Sequence, residues 1–183
     1  MAARVRSPGG PFARVASVDR QLHHPRSPAR RRRKKGGPDH AIGRSRGGLS
    51  TKIHAVVDEN GLPVRLALTA GQAHDRRAVS DLLVELPPGA DVVADRAYDS
   101  DGVLDLIARA GAKPHIPTTR RRRVQRSVDL ALYRQRNLIE RFFCKLKHFR
   151  RIATRFDKLA RNFLAAVMLA STRLWLRAYE STP

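Results

Sequence analysis

The chain of 183 residues carries a formal net charge of +21 at pH 7, because 37 Lys and Arg outnumber 16 Asp and Glu. This length favours a single domain. The one cysteine, Cys144, excludes an internal disulfide and a cysteine-rich zinc site. No apolar run approaches the roughly 20 residues that span a bilayer, so the sequence predicts no membrane partner and a cytoplasmic location.

The charges are unevenly distributed along the chain. Residues 1–52 hold 14 Lys/Arg and 2 Asp/Glu, residues 53–119 hold 6 and 10, and residues 120–183 hold 17 and 4. Two basic flanks indicate a polyanionic partner, most simply nucleic acid. The acidic middle argues against a plain nucleic-acid coat protein, because carboxylates in a basic protein are what metal-dependent phosphoryl transfer requires.

The sequence of residues 1–40 predicts a disordered basic arm. It contains five Pro, four Gly and six consecutive cations from Arg30 to Lys35, without a sustained period of 2 or 3.6. Like-charge repulsion favours an extended arm that can contact a nucleic-acid backbone. Residues 41–180 are predicted to hold the folded domain.

Regular structure is predicted to begin at Thr51. Alternation in TKIHAVVD, a turn at Asn60-Gly61 and a second apolar run in LPVRLALTAG predict a β-hairpin. Apolar spacing and turn residues then predict, in order, a helix in AHDRRAVSDLLVELP, a strand at Asp91–Ala94, a helix at about Ser100–Ala110, a strand in KPHIPT, one long helix from about Val128, and a last helix from near Thr154 to about Tyr179. This order predicts a mixed α/β layer architecture.

Residues 132–151 of the long helix place a single carboxylate among cations. At about 100° per residue, Tyr133, Arg136, Glu140 and Lys147 fall within roughly 60° of one helix face, spread over ~21 Å of axis. The apolar residues of the segment occupy a different arc, which can pack on a core. An ordinary amphipathic helix with a solvated basic face would show the same pattern, so the functional interpretation depends on the rest of the chain.

Asp95 directly follows the predicted strand at 91–94. A carboxylate at the carboxyl end of a strand projects into the crevice where open α/β sheets bind ligands. The alternative is that Asp95 or Asp99 caps the next helix. Capping explains Asp99 well and Asp95 poorly, because Asp95 lies several residues too early. For His74 and Asp75, at the start of an earlier predicted helix, capping is the simplest role.

Asp95 and Glu140 together supply the hard oxygen ligands that Mg²⁺ prefers, with positions left for water and phosphate. Such a site usually needs a third carboxylate and can activate a water or a 3′-hydroxyl for in-line displacement. Arg136 and Lys147 on the Glu140 face can bind DNA phosphates, and Tyr133 can position a phosphate or stack on a base.

A run of four cations directly precedes the long helix. It is either a solvated loop or a DNA clamp, and its position before the Glu140 helix favours the clamp. Its members are Arg120, Arg121, Arg122 and Arg123.

The run Tyr133-x2-Arg136-x3-Glu140-x6-Lys147 is similar to the Tyr-Arg-Glu-Lys motif of bacterial insertion-sequence DDE transposases. The resemblance covers roughly residues 34–178 and is closest to the insertion-sequence family five branch. The segments that carry it are GRSRGGLSTKIHAVVD, LALTAGQAHD, VVADRAYDSD and RNLIERFFCKLKHFRRIATRFDKLARNFLA.

The resemblance implies an RNase H-like fold, a mixed sheet flanked by helices. It implies metal-dependent cleavage and strand transfer at terminal inverted repeats, with two Mg²⁺ (or Mn²⁺) ions and double-stranded DNA as the partner, at the bacterial nucleoid. In this chain Asp95 would be the second catalytic aspartate and Glu140 the catalytic glutamate, and both would be metal ligands.

The first aspartate of the family lies on the first strand, in a context resembling Asp-Ser-Thr, shortly before Lys-Lys-Gly-Gly. The nearby candidate for this catalytic and metal-binding position is Asp19, at about the expected distance before Lys34. Its surroundings, VASVDRQLHHPRSPARRRR, do not continue as a family-like strand. We therefore expect the first strand to be missing or disrupted, and the catalytic domain to be incomplete on its N-terminal side.

Two other functions stay open on the sequence alone. The chain could be a catalytically incomplete DNA-binding transposase remnant, or an unrelated basic RNA-binding protein. A homodimer and a complex with the product of an upstream reading frame are both open as assemblies.

Overall fold

A computed structural model describes residues 40–45, 48–84 and 86–181, together with the backbone of residues 12–20. Six strands form one mixed sheet. Their bounds are β1 Phe12–Arg20, β2 Gly43–Ser45, β3 Gly48–Val57, β4 Pro63–Ala70, β5 Asp91–Val93 and β6 Lys113–His115.

Strand β1 lies inside the sheet, between β3 and β5. It is antiparallel to β3, with Arg14 opposite Val57 and Arg20 opposite Thr51. It is parallel to β5, which is parallel to β6 in turn. On its other side β3 pairs antiparallel with β4, and its first residues pair with the short β2. The carboxyl ends of β1, β5 and β6 therefore point in the same direction.

The predicted β-hairpin is confirmed in β3 and β4. Asp58 Oδ1 accepts hydrogen bonds from the backbone N–H groups of Asn60, at 2.9 Å, and Leu62, at 2.8 Å. Gly61 has φ of +75°, and a Cβ at this position would lie 3.3 Å from the Leu138 side chain. The positive φ therefore favours glycine in the turn, and the nearby Leu138 leaves little room for a larger residue.

Six α-helices and two 3₁₀ turns cover the two faces of the sheet. The helices are α1 Val79–Leu82, α2 Asp101–Arg109, α3 Leu130–Arg134, α4 Asn137–Lys147, α5 Arg150–Ala153 and α6 Ala160–Glu180. The 3₁₀ turns are Asp75–Ala78 and Arg96–Tyr98. Within these described residues, no helix is long and apolar enough to cross a bilayer.

Two hydrophobic cores lie on opposite sides of the sheet. Side chains of α1 and α2 pack with Val56, Val92 and Ala94 on one side. On the other side, α4, α5 and α6 pack against Ile53, Ala55 and Val57 of β3. Because successive strand residues point to opposite faces, the run Ile53 to Val57 supplies both cores, which explains why it is buried throughout.

Buried Arg155 joins the segment before β3 to the helices that follow α4. Its guanidinium Nη2 donates to His40 O at 2.6 Å, its Nη1 to Thr51 Oγ1 at 2.5 Å, and its Nε to Asp157 O at 2.8 Å. The cation also lies 4.7 Å from the centroid of the Phe163 ring. A charge with no exposed surface is tolerated here because backbone carbonyls surround it.

Two expectations are corrected. Residues 12–20, assigned above to a disordered arm with the first strand missing or disrupted, form β1 in the interior of the sheet. Pairing with β3 from Arg14 to Arg20 and with β5 from Phe12 to Arg14 stabilises a strand that its own composition does not predict. The Arg30–Lys35 cation block of that arm lies outside the described residues.

The single long helix predicted from about Val128 is also wrong. The segment is divided into α3, α4 and α5, with breaks at Gln135–Arg136 and His148–Phe149. The apolar side chains of residues Leu130 to Ala153 keep helical spacing across these breaks, so the breaks cannot be seen in the sequence pattern.

Candidate active site

Three of the four residues predicted on the Glu140 face are in contact. Arg136 Nη2 lies 2.7 Å from Glu140 Oε1, and the Arg136 Cζ lies 5.9 Å from the centroid of the Tyr133 ring. The row forms although Tyr133 belongs to α3 and Arg136 is the residue before α4. Lys147, the last residue of α4, has an exposed side chain.

The packing of α4 fixes the direction of this row. Ile139, Phe142, Phe143 and Leu146 are buried against β3, and α4 lies over both β3 and β1. Glu140 falls outside this arc, about 110° around the helix from its centre, where its side chain keeps 52% of its exposure. Burial of the apolar arc therefore holds the carboxylate towards solvent, where it can meet a ligand.

Asp95 follows β5 by two residues, and its side chain begins the 3₁₀ turn at Arg96–Tyr98. Its Oδ1 accepts a hydrogen bond from the backbone N–H of Ala97 at 2.9 Å. As expected, Asp95 does not cap α2, whose N-cap residue is Ser100; it caps a short turn that the sequence did not predict. The bond occupies Oδ1 and leaves Oδ2 without a hydrogen bond from the described part of the chain.

The sequence predicted that Asp99 caps α2, and this prediction is wrong. The N-cap residue is Ser100, and the Asp99 carboxylate is fully buried beneath the 118–126 loop. The backbone N–H of Thr119 donates to Oδ2 at 2.6 Å, and Arg126 Nη2 lies 2.5 Å from Oδ1. Burial alone would raise the pKa of Asp99, but these bonds outweigh it and lower the pKa to about 2.

The 118–126 loop, which is bonded to Asp99, contains the four arginines that were predicted to bind DNA. Arg122 forms ion pairs within the chain, because its Nε lies 3.0 Å from Asp99 Oδ1 and its Nη1 donates to Asp101 Oδ1 at 2.5 Å. The pKa of Arg122 is raised above its ordinary value, first by this bond with Asp101. Arg120, Arg121 and Arg123 have exposed side chains on the same loop, so the clamp prediction stays open for these three.

Asp19 lies in β1, with its backbone opposite Lys52 of β3. The Lys52 Nζ is bound elsewhere, to Asp75 Oδ1 at 2.9 Å and Ala73 O at 3.0 Å. Asp75 therefore forms an ion pair, and the capping role expected for it is wrong; His74, the N-cap residue, makes no side-chain cap bond either. The side chain of Asp19 lies outside the described residues.

Asp19 and Asp95 belong to neighbouring strands of the sheet. The pairing of β1 with β5 is parallel and runs from Phe12 opposite Asp91 to Arg14 opposite Val93. Asp19 lies five residues after Arg14, within β1, and Asp95 lies two residues after Val93, at the start of the 3₁₀ turn that follows β5. Both aspartates are therefore on the carboxyl side of this pairing.

Sequence reasoning missed a buried histidine on β3. His54 has no exposed surface, and its Nε2 lies 2.7 Å from Thr69 Oγ1 on β4. Desolvation lowers the pKa of His54 to about 4, although the Asp75 charge opposes the shift. The alternation that identified the strand could not distinguish a histidine in the core from one facing solvent.

The fold and site together define a mixed α/β, strongly basic protein with carboxylates at the end of a central parallel strand and on a helix that lies over the sheet. The family described as "Transposase DDE domain" matches residues 10–175 of the chain. The chain belongs to this family of insertion-sequence DDE transposases, which act on DNA.

Two curated proteins show the same relationship. The chain is 42% identical to the "Putative transposase for insertion sequence element IS6501" of Brucella ovis over 130 residues, which is 70% of this chain and 100% of that protein. It is 31% identical to the "Putative transposase for insertion sequence element IS402" of Burkholderia cepacia over 121 residues, 60% of this chain. That second match spans only 55% of the relative's length. No solved structure matches the chain.

Divalent metal chemistry is typical of the family, and the donors present suit it in part. Asp95 and Glu140 are hard oxygen ligands, and each has one oxygen engaged in a single hydrogen bond or ion pair. Within the described residues, no group of three His, Cys, Asp or Glu side chains is placed to hold a metal ion.

Proposed function

We propose that Asp95 and Glu140 are the metal-binding catalytic carboxylates of this transposase. The observation that supports this most directly is the contact row of Tyr133, Arg136 and Glu140 on the exposed side of α4. Helix α4, which carries Glu140, lies over β1. Strand β5, which ends just before Asp95, is next to β1 in the sheet. The proposal includes an RNase H-like fold, supported by a mixed sheet with helices on both faces, and membership of the insertion-sequence family five branch.

The two carboxylates would hold two Mg²⁺ or Mn²⁺ ions, which supply Lewis-acid stabilisation of an in-line displacement at a DNA phosphate. Arg136 orients Glu140 through the 2.7 Å contact. Its guanidinium has five N–H donors, so it can also bind a phosphate of the cleaved strand. Tyr133, on the other side of Arg136, offers a hydroxyl to a phosphate or a ring to a base. Lys147 adds a point charge further along the same face.

Asp19 is the candidate for the third carboxylate, by its place in β1. The exposed Arg120, Arg121 and Arg123 would contact the DNA backbone beside the site. The substrate would be the transposon ends and the target DNA, at the nucleoid in the bacterial cytoplasm. Transposition joins two ends, so a homodimer is the simplest assembly; the product of an upstream reading frame is a further partner to test.

Nicking of a plasmid that carries the element's own terminal repeats tests the proposal. Asp95→Asn and Glu140→Gln keep shape and remove charge, and each should reduce Mg²⁺-dependent nicking by at least about 10²-fold while the variant still binds DNA. Asp105→Asn, on the exposed side of α2, is the matched control and should nick like the unmodified chain. Full activity of either site variant would refute the assignment.

One observation favours a second candidate, a DNA-binding remnant without cleavage activity. Asp19, the candidate for the third carboxylate, stands in a sequence context that departs from the Asp-Ser-Thr context of the family. This candidate predicts DNA binding without nicking, both for the chain alone and with the upstream product added in trans. Nicking that disappears in Asp19→Asn would exclude it.

A further inference from the structure

A hollow lies at the junction of the β3–β4 turn, the end of α4 and the second half of α6. Its volume is about 650 Å³, and its polar lining includes Lys145, His148, Arg173 and Arg177. Its floor is apolar and includes Leu62 and Leu174. The volume lies within the range of about 300–1,000 Å³ found for small-molecule sites, so a phosphate and its attached sugar can enter.

The cations that line this hollow have no carboxylate partner in the described part of the chain. Among the residues that line it, all in the described chain, there is no Asp or Glu. Lys145, Arg173 and Arg177 make no ion pair with described residues, in contrast to Arg122, Arg126 and Arg136. Like charges gathered at one place repel each other, and an anionic ligand removes that cost.

The spacing of these cations along α4 and α6 brings them to the same hollow. Arg173 and Arg177 are four residues apart on α6 and therefore lie on one face. Lys145 and His148 are three residues apart at the end of α4 and lie on another single face. The two faces meet across the hollow, so an anion between them is approached from two helices.

This basic hollow is separate from the Glu140 face. Lys145 is five residues after Glu140, which places it about 140° around α4. Lys147, seven residues after Glu140, lies within about 20° of it. One helix therefore presents cations in two directions, and the Tyr-Arg-Glu-Lys row accounts for only one of them.

We propose that the basic hollow binds the phosphodiester backbone of a DNA strand that does not occupy the catalytic crevice. The inference rests on the proposed function only in taking DNA as the polyanion. A phosphate lies between Lys145 and the Arg173–Arg177 pair, and its deoxyribose packs on the apolar floor. A DNA backbone is preferred to an acidic protein segment because the chain belongs to a family that acts on DNA, and because the deoxyribose beside each phosphate can pack on the apolar floor.

Fluorescence anisotropy of a labelled duplex, measured with EDTA present and over about 50–200 mM NaCl, tests this. The full chain is compared with two triple variants that remove the same charge. The hollow variant is Lys145→Ala, Arg173→Ala, Arg177→Ala; the control variant removes exposed cations elsewhere and is Arg76→Ala, Arg109→Ala, Lys113→Ala.

The hollow variant should bind DNA on the order of 10-fold more weakly than the control variant, with a log–log salt slope shallower by roughly 2 to 3 units. Equal affinities and slopes for the two variants would overturn the inference, because the loss would then reflect net charge alone. All substituted side chains are exposed, and matching thermal melts check that both variants fold.

A second arm replaces the duplex with labelled poly-glutamate. Binding of poly-glutamate that depends on the three residues, with DNA binding unchanged, would identify an acidic protein as the partner and overturn the inference. Failure here is distinct from failure of the proposed function. If the hollow variant binds DNA like the control while Glu140→Gln abolishes nicking, the inference about the hollow fails and the proposed function stands. If the hollow variant loses DNA binding while Glu140→Gln still nicks, the inference stands and the assignment of Glu140 fails.

Discussion

Arg155 and Thr51 are 104 positions apart in the chain, yet Arg155 Nη1 donates a hydrogen bond to Thr51 Oγ1 at 2.5 Å. Thr51 Oγ1 donates in turn to Ala41 O at 2.6 Å. The buried guanidinium thus joins the start of β3 to the segment between α5 and α6. It also lies against Phe163, which belongs to the core on which α4 packs.

Arg155→Met should destabilise the chain by about 3 kcal/mol or more, because buried carbonyls lose their donors while the apolar volume is retained. Urea unfolding followed by circular dichroism measures the change. Arg161→Met, at an exposed position near the start of α6, is the matched control and should change stability by no more than about 0.5 kcal/mol. Similar midpoints for the two variants would show that the Arg155 bonds contribute little.

Asp99→Asn should loosen the 118–126 loop, because Arg122 and Arg126 lose the buried charge that holds them. The expected cost is about 1–3 kcal/mol. Limited proteolysis by trypsin, which cleaves after Arg, reports the loop directly and should become faster at Arg120 to Arg123. Asp105→Asn on α2 supplies the control. Unchanged proteolysis in Asp99→Asn would mean that the loop is held by other contacts.

The same carboxylate makes a specific contribution to acid stability. Its pKa in the folded chain is lowered from 3.8 to about 2. Its stabilisation is therefore fully present above pH 3.8 and is lost as the pH falls towards 2. Stability curves measured below pH 4 should be flatter for Asp99→Asn than for the unmodified chain.

His54 should dominate a different pH window. Burial lowers its pKa from 6.5 to about 4, so folding favours the neutral ring. Stability is retained above pH 6.5 and falls as the pH decreases from 6.5 to 4, by up to about 3 kcal/mol. His54→Gln should remove this slope in urea unfolding series at each pH. An identical slope in the variant would assign the effect to other groups.

The pair of Arg136 and Glu140 predicts an unusual binding phenotype. Glu140→Gln releases Arg136 from its ion pair, so metal-independent DNA binding should tighten by roughly 1.5- to 5-fold, as expected for an exposed pair worth about 0.2–1 kcal/mol. Arg136→Ala in the Glu140→Gln background should cancel the gain. Anisotropy titrations in EDTA measure both.

Lys147→Ala serves as the reference for that experiment. Its charge is exposed at the end of α4, so the variant should lower affinity and reduce the salt slope by about 1, in either background. If Glu140→Gln binds DNA no more tightly than the unmodified chain, the Arg136 guanidinium is not limited by Glu140.

Local sequence determined the elements that follow a regular spacing of apolar and polar residues. The β3–β4 hairpin follows from alternation and from a turn that needs a positive φ at Gly61. The contact of Tyr133, Arg136 and Glu140 follows from helical spacing, and it survives a break in the helix because the chain resumes after a single turn. The resemblance of the Tyr133-x2-Arg136-x3-Glu140-x6-Lys147 run and its neighbouring segments to a known family was sufficient to predict an insertion-sequence transposase.

Tertiary structure alone decided the rest, because each remaining feature depends on residues far apart in the chain. Strand β1 has no pattern of its own and exists through its ladders with β3 and β5. The difference between Asp95 and Asp99 depends on a loop that returns from residues 118–126 to bury one carboxylate and leave the other at the surface. The basic hollow likewise requires α4 and α6 to meet at the hairpin turn, a packing of helix faces that no short stretch of sequence encodes.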